Sequence, residues 1–353
     1  MNPEIRIGHT RIGAHHQPFI VAELSGNHNG SLERALEIVD AAAKAGAHAL
    51  KLQTYTADTM TLDLREREFL VQDPGSLWSG RSLYDLYQEA HTPWDWHEPI
   101  FRRCRERGLI GFSAPFDRTA VEFLESLAVP CHKIASFENV DLALIRAVAA
   151  TGKPVIISTG LAEIAELDDA VGAARAAGCR ELVLLKCTST YPADPGHSNL
   201  RTIPDLQKRY GCVVGLSDHT PGIGAAVAAV ALGSAVIEKH VTLRRADGGV
   251  DAAFSLEPEE LRALVVESAQ ARQALGQVRY GPTEPERPSL QFRRSLYVVA
   301  DLPAGAVLTA GDVRAIRPGL GLPPRHLETV LGRRVSGAVK RGTPLSWDLL
   351  EDA

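Results

Sequence analysis

Gly215-Leu216-Ser217-Asp218-His219-Thr220 and Ala235-Val236-Ile237-Glu238-Lys239-His240 are two short apolar runs, each ending at a histidine. Between them, positions 221–232 are rich in alanine and long enough for roughly three helical turns. The pattern predicts a strand–helix–strand unit with parallel strands, since a crossover of that length joins parallel neighbours. Parallel strands emerge on one face, so the two imidazoles meet at one end and could share a divalent metal. Two unrelated core or surface histidines are the plainer alternative. Asp218 and Glu238, beside them on the same strand ends, favour the metal.

The same rhythm extends outward in both directions. Apolar runs at 18–23, 47–53, 109–112, 131–135, 154–157 and 182–186 precede the pair at 212–216 and 235–239. Helical patterns fall at 32–45, 82–90, 94–107, 118–127, 141–150, 161–177, 221–232 and 256–274, with Ser31 as a cap and Gly46 as a stop for the first. The polar stretch from 54 to about 80 is a long excursion of the functional-loop kind. Strands alternating with helices in this way predict an α/β fold, a (β/α)8 TIM barrel. An open doubly wound sheet would call for a glycine-rich phosphate loop after a strand, and the sequence has none. Glu23, Lys51, Gln53, Ser113, Lys133, Ser136, Ser158, Lys186, Ser217, His219, Glu238 and His240 all fall at or near strand C-terminal ends, the face that carries chemistry in such barrels.

The barrel is expected over 1–280. Three prolines in 281–288 mark a linker, placed at 281–290. A small β-rich domain should follow over 291–353, with strands at 295–300, 313–317 and 333–335 and another near Val339. The chain has 353 residues, 45% of them apolar, and a formal charge of −5, which argues against nucleic-acid or membrane-surface binding. No apolar stretch is long enough to span a bilayer, and the first residues lack a signal core. Five cysteines without CxxC spacing fit reduced thiols in the cytoplasm.

Lysines at strand ends inside a barrel mouth are costly to desolvate unless an anion meets them. Lys51, Lys133 and, more weakly, Lys186 either pair with Glu23 and Glu238 or, with Ser136 and Ser158, hold a phosphate or carboxylate of a substrate. A two-histidine metal keeps coordination positions free to polarise a carbonyl oxygen, and Glu23 is the nearest candidate acid or base. Tyr191 and Asp251 are candidates for orienting a hydroxylated substrate. His28 reads equally as a loop residue or a ligand, and His15, His16 and His132 as structure or surface.

In order along the chain, Ala22-Glu23-Leu24-Ser25-Gly26-Asn27-His28-Asn29-Gly30-Ser31, Lys51-Leu52-Gln53-Thr54-Tyr55-Thr56, Lys133-Ile134-Ala135-Ser136-Phe137-Glu138 and the two histidine runs resemble the sialic acid synthase family. Arg317-Pro318-Gly319-Leu320-Gly321-Leu322 resembles that family's C-terminal antifreeze-like domain, of the SAF or β-clip type. The resemblance implies a condensation of phosphoenolpyruvate with an open-chain amino sugar, with release of phosphate. It implies His219 and His240 as metal ligands, usually for manganese, with magnesium or cobalt as alternatives. Glu23 is implied as the catalytic carboxylate. Lys51, Lys133, Ser136 and Ser158 are implied at the phosphoenolpyruvate site, with the strand-end Ser113 and Ser217 as further substrate contacts. Gln53, Tyr191 and Asp251 are implied at the sugar site; Ser189 stands where the family often has asparagine, and Val250 where it often has proline. Arg317 is implied to enter the other subunit's barrel, which makes a domain-swapped homodimer. Ser25, the wording of 51–56, Ser76-Leu77-Trp78 and Thr92-Pro93-Trp94 resemble the branch that takes a 2,4-diacetamido-2,4,6-trideoxy altrose. Rival readings are a sister synthase using N-acetylmannosamine or the legionaminate precursor, a metal-dependent aldolase or hydrolase, and a carbohydrate-binding protein.

Overall fold

In the computed structural model, which describes residues 3–351, the chain opens with an antiparallel hairpin of β1 (Glu4–Ile7) and β2 (Thr10–Gly13). The sequence reading leaves this hairpin out. Its Ile5, Ile7 and Ile12 pack with Phe19 and Val21 into one cluster and so plug the N-terminal end of the barrel.

Eight parallel strands follow: β3 (Phe19–Glu23), β4 (Ala49–Thr54), β5 (Ile110–Pro115), β6 (His132–Ile134), β7 (Val155–Ser158), β8 (Leu182–Cys187), β9 (Val213–Asp218) and β10 (Val236–His240). They close into a barrel in sequence order, β10 pairing β3 with His240 opposite Glu23. Gly215 is where β9 lies closest to its neighbour: a Cβ there would meet the Val236 carbonyl oxygen at 2.4 Å. The helices α1 (Leu32–Ala45), α2 (Ala57–Met60), α3 (Leu83–Ala90), α4 (His97–Glu106), α5 (Arg118–Ser126), α6 (Leu142–Ala149), α7 (Ile164–Ala176), α8 (Thr202–Tyr210), α9 (Gly224–Ala231) and α10 (Pro258–Ala274) lie between and after them. Ser31 caps α1 by accepting from the Arg34 N–H, and Gly46 ends it in the left-handed region at φ 89°. The sequence reading misses α8, whose Pro204 stands in the first turn, where proline removes no helical hydrogen bond.

Successive side chains on a strand point to opposite faces, and here the two faces have different fates. Phe19, Val21, Ala49, Ile110, Phe112, Cys131, Ile156, Val183, Leu185, Val213 and Val236 fill the barrel interior. Ile20, Leu50, Leu52, Ile134, Ile157, Leu182, Leu184, Val214, Leu216 and Ile237 join the larger cluster with the helices. Continuing the inward phase up each strand reaches Glu23, Lys51, Gln53, Lys133, Ser158, Cys187, Ser217, Glu238 and His240. The interior is therefore apolar below and charged above.

The chain divides into two compact units between Gly276 and Gln277. The segment expected as a linker runs into a 3-10 helix at Glu284–Phe292. In the second unit β11 (Ser295–Val298) pairs antiparallel with β12 (Val313–Ile316), and a short α11 (Leu327–Val330) follows. The further strands expected at 333–335 and Val339 form single bridges instead, Val307 with Arg334, Leu302 with Val339 and Val335 with Leu350. Their core of Leu296, Val298, Leu308, Val313, Val330, Val335, Val339, Leu345 and Leu350 is small, as a unit of this length dictates. Residues 1–2 and 352–353, at the outer ends of the two expected domains, lie outside the described residues.

Candidate active site

Four buried charges meet at the top of the barrel interior. Lys51 Nζ lies 2.5 Å from Glu23 Oε2 and 3.8 Å from Glu238 Oε1, and Lys133 Nζ lies 3.7 Å from the same Glu238 oxygen. Lys133 also donates to Ser158 Oγ at 2.6 Å, and Ser217 Oγ donates to Glu238 Oε1 at 3.1 Å. Burial opposes the charge on Lys51, but Glu23 and Glu238 outweigh it and its pKa stands above the ordinary lysine value. Burial and the repulsion of Lys51 pull Lys133 below that value, against Glu238. Burial works on both carboxylates, yet Lys133 and Lys51 keep Glu238 lowered, while Glu23 is raised. The two carboxylates are thus shifted in opposite directions, Glu238 by its two lysines and Glu23 by burial.

His219 and His240 stand beside it, their ring centroids 5.3 Å apart. His219 Nδ1 lies 2.9 Å from the Thr188 carbonyl oxygen, which can only accept, so in the neutral ring Nδ1 carries the proton and Nε2 the lone pair. Burial disfavours the charged ring, but Cys187 and the Thr188 carbonyl outweigh it and raise the pKa. His240 Nδ1 is buried without a hydrogen-bond partner. Burial and the nearby cations hold His240 well below the usual histidine range, so it is neutral, the form a metal requires. The pair therefore fits a two-imidazole metal site. Among the described residues no group of three or more His, Cys, Asp or Glu is arranged to hold an ion.

Of these groups His240 lines a cavity of about 320 Å³, while Lys51, Lys133, Glu23, Glu238 and His219 stand outside its lining. Ser25, Gln53, Ser136, Ser189, Tyr191, His240 and Asp251 all line it. Gln53 Nε2 donates to Glu23 Oε1 and to Ser25 Oγ, both at 3.1 Å, and Ser25 Oγ donates to Asp251. Tyr191 packs its ring on His219 at 4.5 Å. Gly160 leaves the gap between Ser136 and Ser189: a Cβ there would come within 2.6 Å of Ser136 Oγ and 2.2 Å of Ser189 Oγ.

Two expected contacts face away from the barrel interior, for a common reason. Ser113 is one residue out of phase with the inward Ile110 and Phe112, so it faces the helices, hydrogen-bonded to Thr54 Oγ1 at 2.6 Å. Lys186, in phase with the helix-facing Leu182 and Leu184, reaches Thr188 Oγ1 instead of the cluster. His28 is a loop residue, Nδ1 accepting from the Gly30 N–H. Arg317 is exposed, directly after β12 in the second unit.

Three groups escape the sequence reading. Glu238 is read there as a strand-end neighbour of the histidines and a partner for the lysines, but not as a site residue; its phase, shared with His240, is the signal for its central place. Glu138 lines the cavity with Oε2 buried and unpartnered, and burial, partly offset by Lys133, pushes it up to about 7. Cys187 Sγ sits 3.9 Å from His219 Nδ1; burial would raise its pKa, but His219 brings it down to about 7.

The sequence matches the NeuB family over residues 38–280 and the SAF domain over residues 293–351. It is 43% identical to a pseudaminic acid synthase of Helicobacter pylori, over 95% of this chain and 98% of that one. It is 33% identical to an N,N'-diacetyllegionaminic acid synthase of Legionella pneumophila, over 94% of each. The crystal structure of an N-acetylneuraminic acid (sialic acid) synthetase from Leptospira borgpetersenii, in complex with citrate, is similar at a TM-score of 0.73 and 32% identity, covering 83% of this chain and 97% of that one.

Proposed function

The chain belongs to the NeuB family, and from that premise we propose that it condenses phosphoenolpyruvate with 2,4-diacetamido-2,4,6-trideoxy-β-L-altropyranose and water, giving pseudaminic acid and inorganic phosphate. The observation that carries the assignment is the inward cluster of Lys51, Lys133, Glu23 and Glu238 beside His219 and His240. Relatives called pseudaminic acid synthases stand at 41–43% identity, and those called legionaminic acid synthases at 30–33%.

Lys51, Lys133, Ser136 and Ser158 bind the phosphate and carboxylate of the donor, with Ser217 holding Glu238 in place. Without the donor, Glu23 and Glu238 balance the two ammonium groups. A multiply charged anion tips that balance negative and favours a proton on Glu23, which burial already disposes to take one. In the condensation C3 of phosphoenolpyruvate bonds to the aldehyde carbon, whose oxygen gains a proton. Water adds at C2 and loses one; the C2–O bond to phosphate then breaks as the new C2 hydroxyl becomes the ketone and its proton passes to the departing phosphate. One proton enters and one leaves, and Glu23 is the group placed to hold it between the two events. Gln53 fixes the Glu23 carboxylate, while Tyr191, Ser189 and Asp251 orient the open-chain sugar. His219 and His240 would hold a divalent metal, manganese by preference, which when bound would supply Lewis-acid polarisation of the aldehyde oxygen.

We assign Arg317 to a partner's barrel in a domain-swapped homodimer, in keeping with its exposure in a single chain. A cytoplasmic setting fits the five unpaired thiols. No helix among the described residues is long and apolar enough to cross a membrane.

The test is phosphate release from phosphoenolpyruvate with the trideoxy sugar, N-acetylmannosamine and the legionaminate precursor in turn. Turnover should be greatest with the first, vanish in excess chelator and return with manganese. Full turnover in chelator removes the metal from the scheme. Release that needs no sugar removes the condensation.

A further inference from the structure

The cavity has two unlike halves. Its floor is polar and comes from the strand-end residues Gln53 and His240 and from the segments that follow the strands, with Ser25, Ser136, Ser189 and Asp251. Its wall is apolar, and much of it comes from the excursion between β4 and β5: Met60, Val71, Trp78, Leu83 and Tyr87. The wall is built rather than loose. Trp78 Nε1–H donates to the Val250 carbonyl at 2.9 Å, tying the excursion to the loop after β10. The Trp78 ring also lies 5.7 Å from that of Tyr191. Val71 N–H donates to the Arg81 carbonyl, and Gly80 N–H returns to the Val71 carbonyl, which closes the loop on itself. Tyr87 sets its edge against Tyr55.

Three of the five side chains, Met60, Val71 and Leu83, offer no hydrogen-bonding group that a sugar hydroxyl would normally use, the Trp78 N–H is already spent on Val250, and of the five only Tyr87 carries a hydroxyl. A hydroxyl held against this surface would give up water without a replacement partner, whereas a methyl group would gain contact. We infer that this wall sets the sugar specificity. It seats the C6 methyl of a 6-deoxy sugar and the methyl of an acetamido group, and it discriminates against a sugar with free hydroxyls at those positions. The inference rests on the cavity being the sugar site, as proposed above. An apolar pocket rejects an analogue that adds a hydroxyl by about 10²-fold.

The experiment compares kcat/KM for the 2,4-diacetamido-2,4,6-trideoxy sugar and for N-acetylmannosamine. It uses the wild type, the near-isosteric double variant Met60→Gln/Val71→Thr, and Met60→Leu. The wild type should prefer the trideoxy sugar by about 10²-fold or more. The double variant should narrow that ratio about tenfold, mainly through a higher KM for the trideoxy sugar, with KM for phosphoenolpyruvate unmoved. Met60→Leu, which keeps the wall apolar, should keep the ratio. If the double variant does not fold, each single polar variant should narrow the ratio about threefold. A ratio unchanged in every folded polar variant overturns the inference and leaves the condensation standing. So does a wild type that uses both sugars equally. A wild type that releases phosphate with neither sugar overturns the proposed function itself, and the inference falls with it.

Discussion

Two buried lysine–carboxylate pairs lie at the top of the same barrel, and they are built to opposite ends. Lys239 Nζ meets Asp218 Oδ2 at 2.8 Å, with side chains 0% and 2% exposed. The Thr220 carbonyl accepts a second hydrogen bond from it, and Asp218 Oδ1 accepts from the Thr220 N–H. This pair is one-to-one and closed. Lys51 and Glu23 are nearly as buried, at 4% and 1%, but Glu238 is shared between Lys51 and Lys133, and its Oε2 has no hydrogen-bond partner. One residue of strand phase separates the two arrangements: Glu238 points inward and Lys239 outward. The outward pair is complete without a ligand. The inward cluster is balanced in charge but short of partners, the state expected of groups awaiting a charged substrate.

Neutralising one lysine of each pair tests that contrast most severely. Lys51→Met should lower kcat/KM by about 10²–10³-fold. Lys239→Met should instead destabilise the fold by about 3–5 kcal/mol, since it strands Asp218 in the interior, while kcat per folded molecule stays within about twofold. Urea unfolding and phosphate release on the same samples separate the two effects. If Lys239→Met lost activity at full stability, the division into catalytic and structural faces would fail.

Strand phase also explains what the sequence made legible. The eight strands were readable because each is a short apolar run with a polar end, and the His219–His240 pairing followed from parallel neighbours. Polar residues at strand ends show height along the barrel but not which side they face. Ser113 and Lys186 were grouped with the interior for that reason, although Phe112 and Leu184 carried the phase. The apolar wall was harder still. Trp78 and Val250 are 172 positions apart, and neither sits in a periodic segment that could have linked them. In the second unit, Val335 and Val339 have the residue type of strands but make single bridges, because glycine and proline recur too often there for a ladder.

The outward face makes a second prediction, in pH. His97 on α4 is buried against β4, its Nε2 2.8 Å from Thr54 Oγ1 and its Nδ1 3.2 Å from the Pro93 carbonyl. Burial lowers its pKa to about 4. An unfolded histidine titrates near 6.5, so the unfolded chain takes up the proton first as pH falls. The stability His97 contributes is complete above about pH 6.5 and is lost progressively down to about pH 4, by roughly 3 kcal/mol in all. Other groups titrate in that window, so the readout is a difference. Unfolding free energies of wild type and His97→Gln should converge by about that amount between pH 7 and 4. Parallel curves would show that His97 is not held neutral by the fold.

The smallest effect is the sharpest test, because it falls on a residue the sequence assigned to the substrate. The Pro93 carbonyl fixes the proton of His97 on Nδ1, so Nε2 must accept, and the Thr54 hydroxyl donates to it. Ser113 can then only donate to Thr54 Oγ1, at 2.6 Å, which completes a chain of hydrogen bonds on the helix side of β5. Ser113→Ala removes the last donor and leaves the Thr54–His97 bond intact. It should cost about 1 kcal/mol of stability and leave KM for both phosphoenolpyruvate and sugar within about twofold. A tenfold rise in KM for phosphoenolpyruvate at unchanged stability would place Ser113 among the donor's contacts. Strand phase would then no longer separate the residues that bind from those that hold the barrel together.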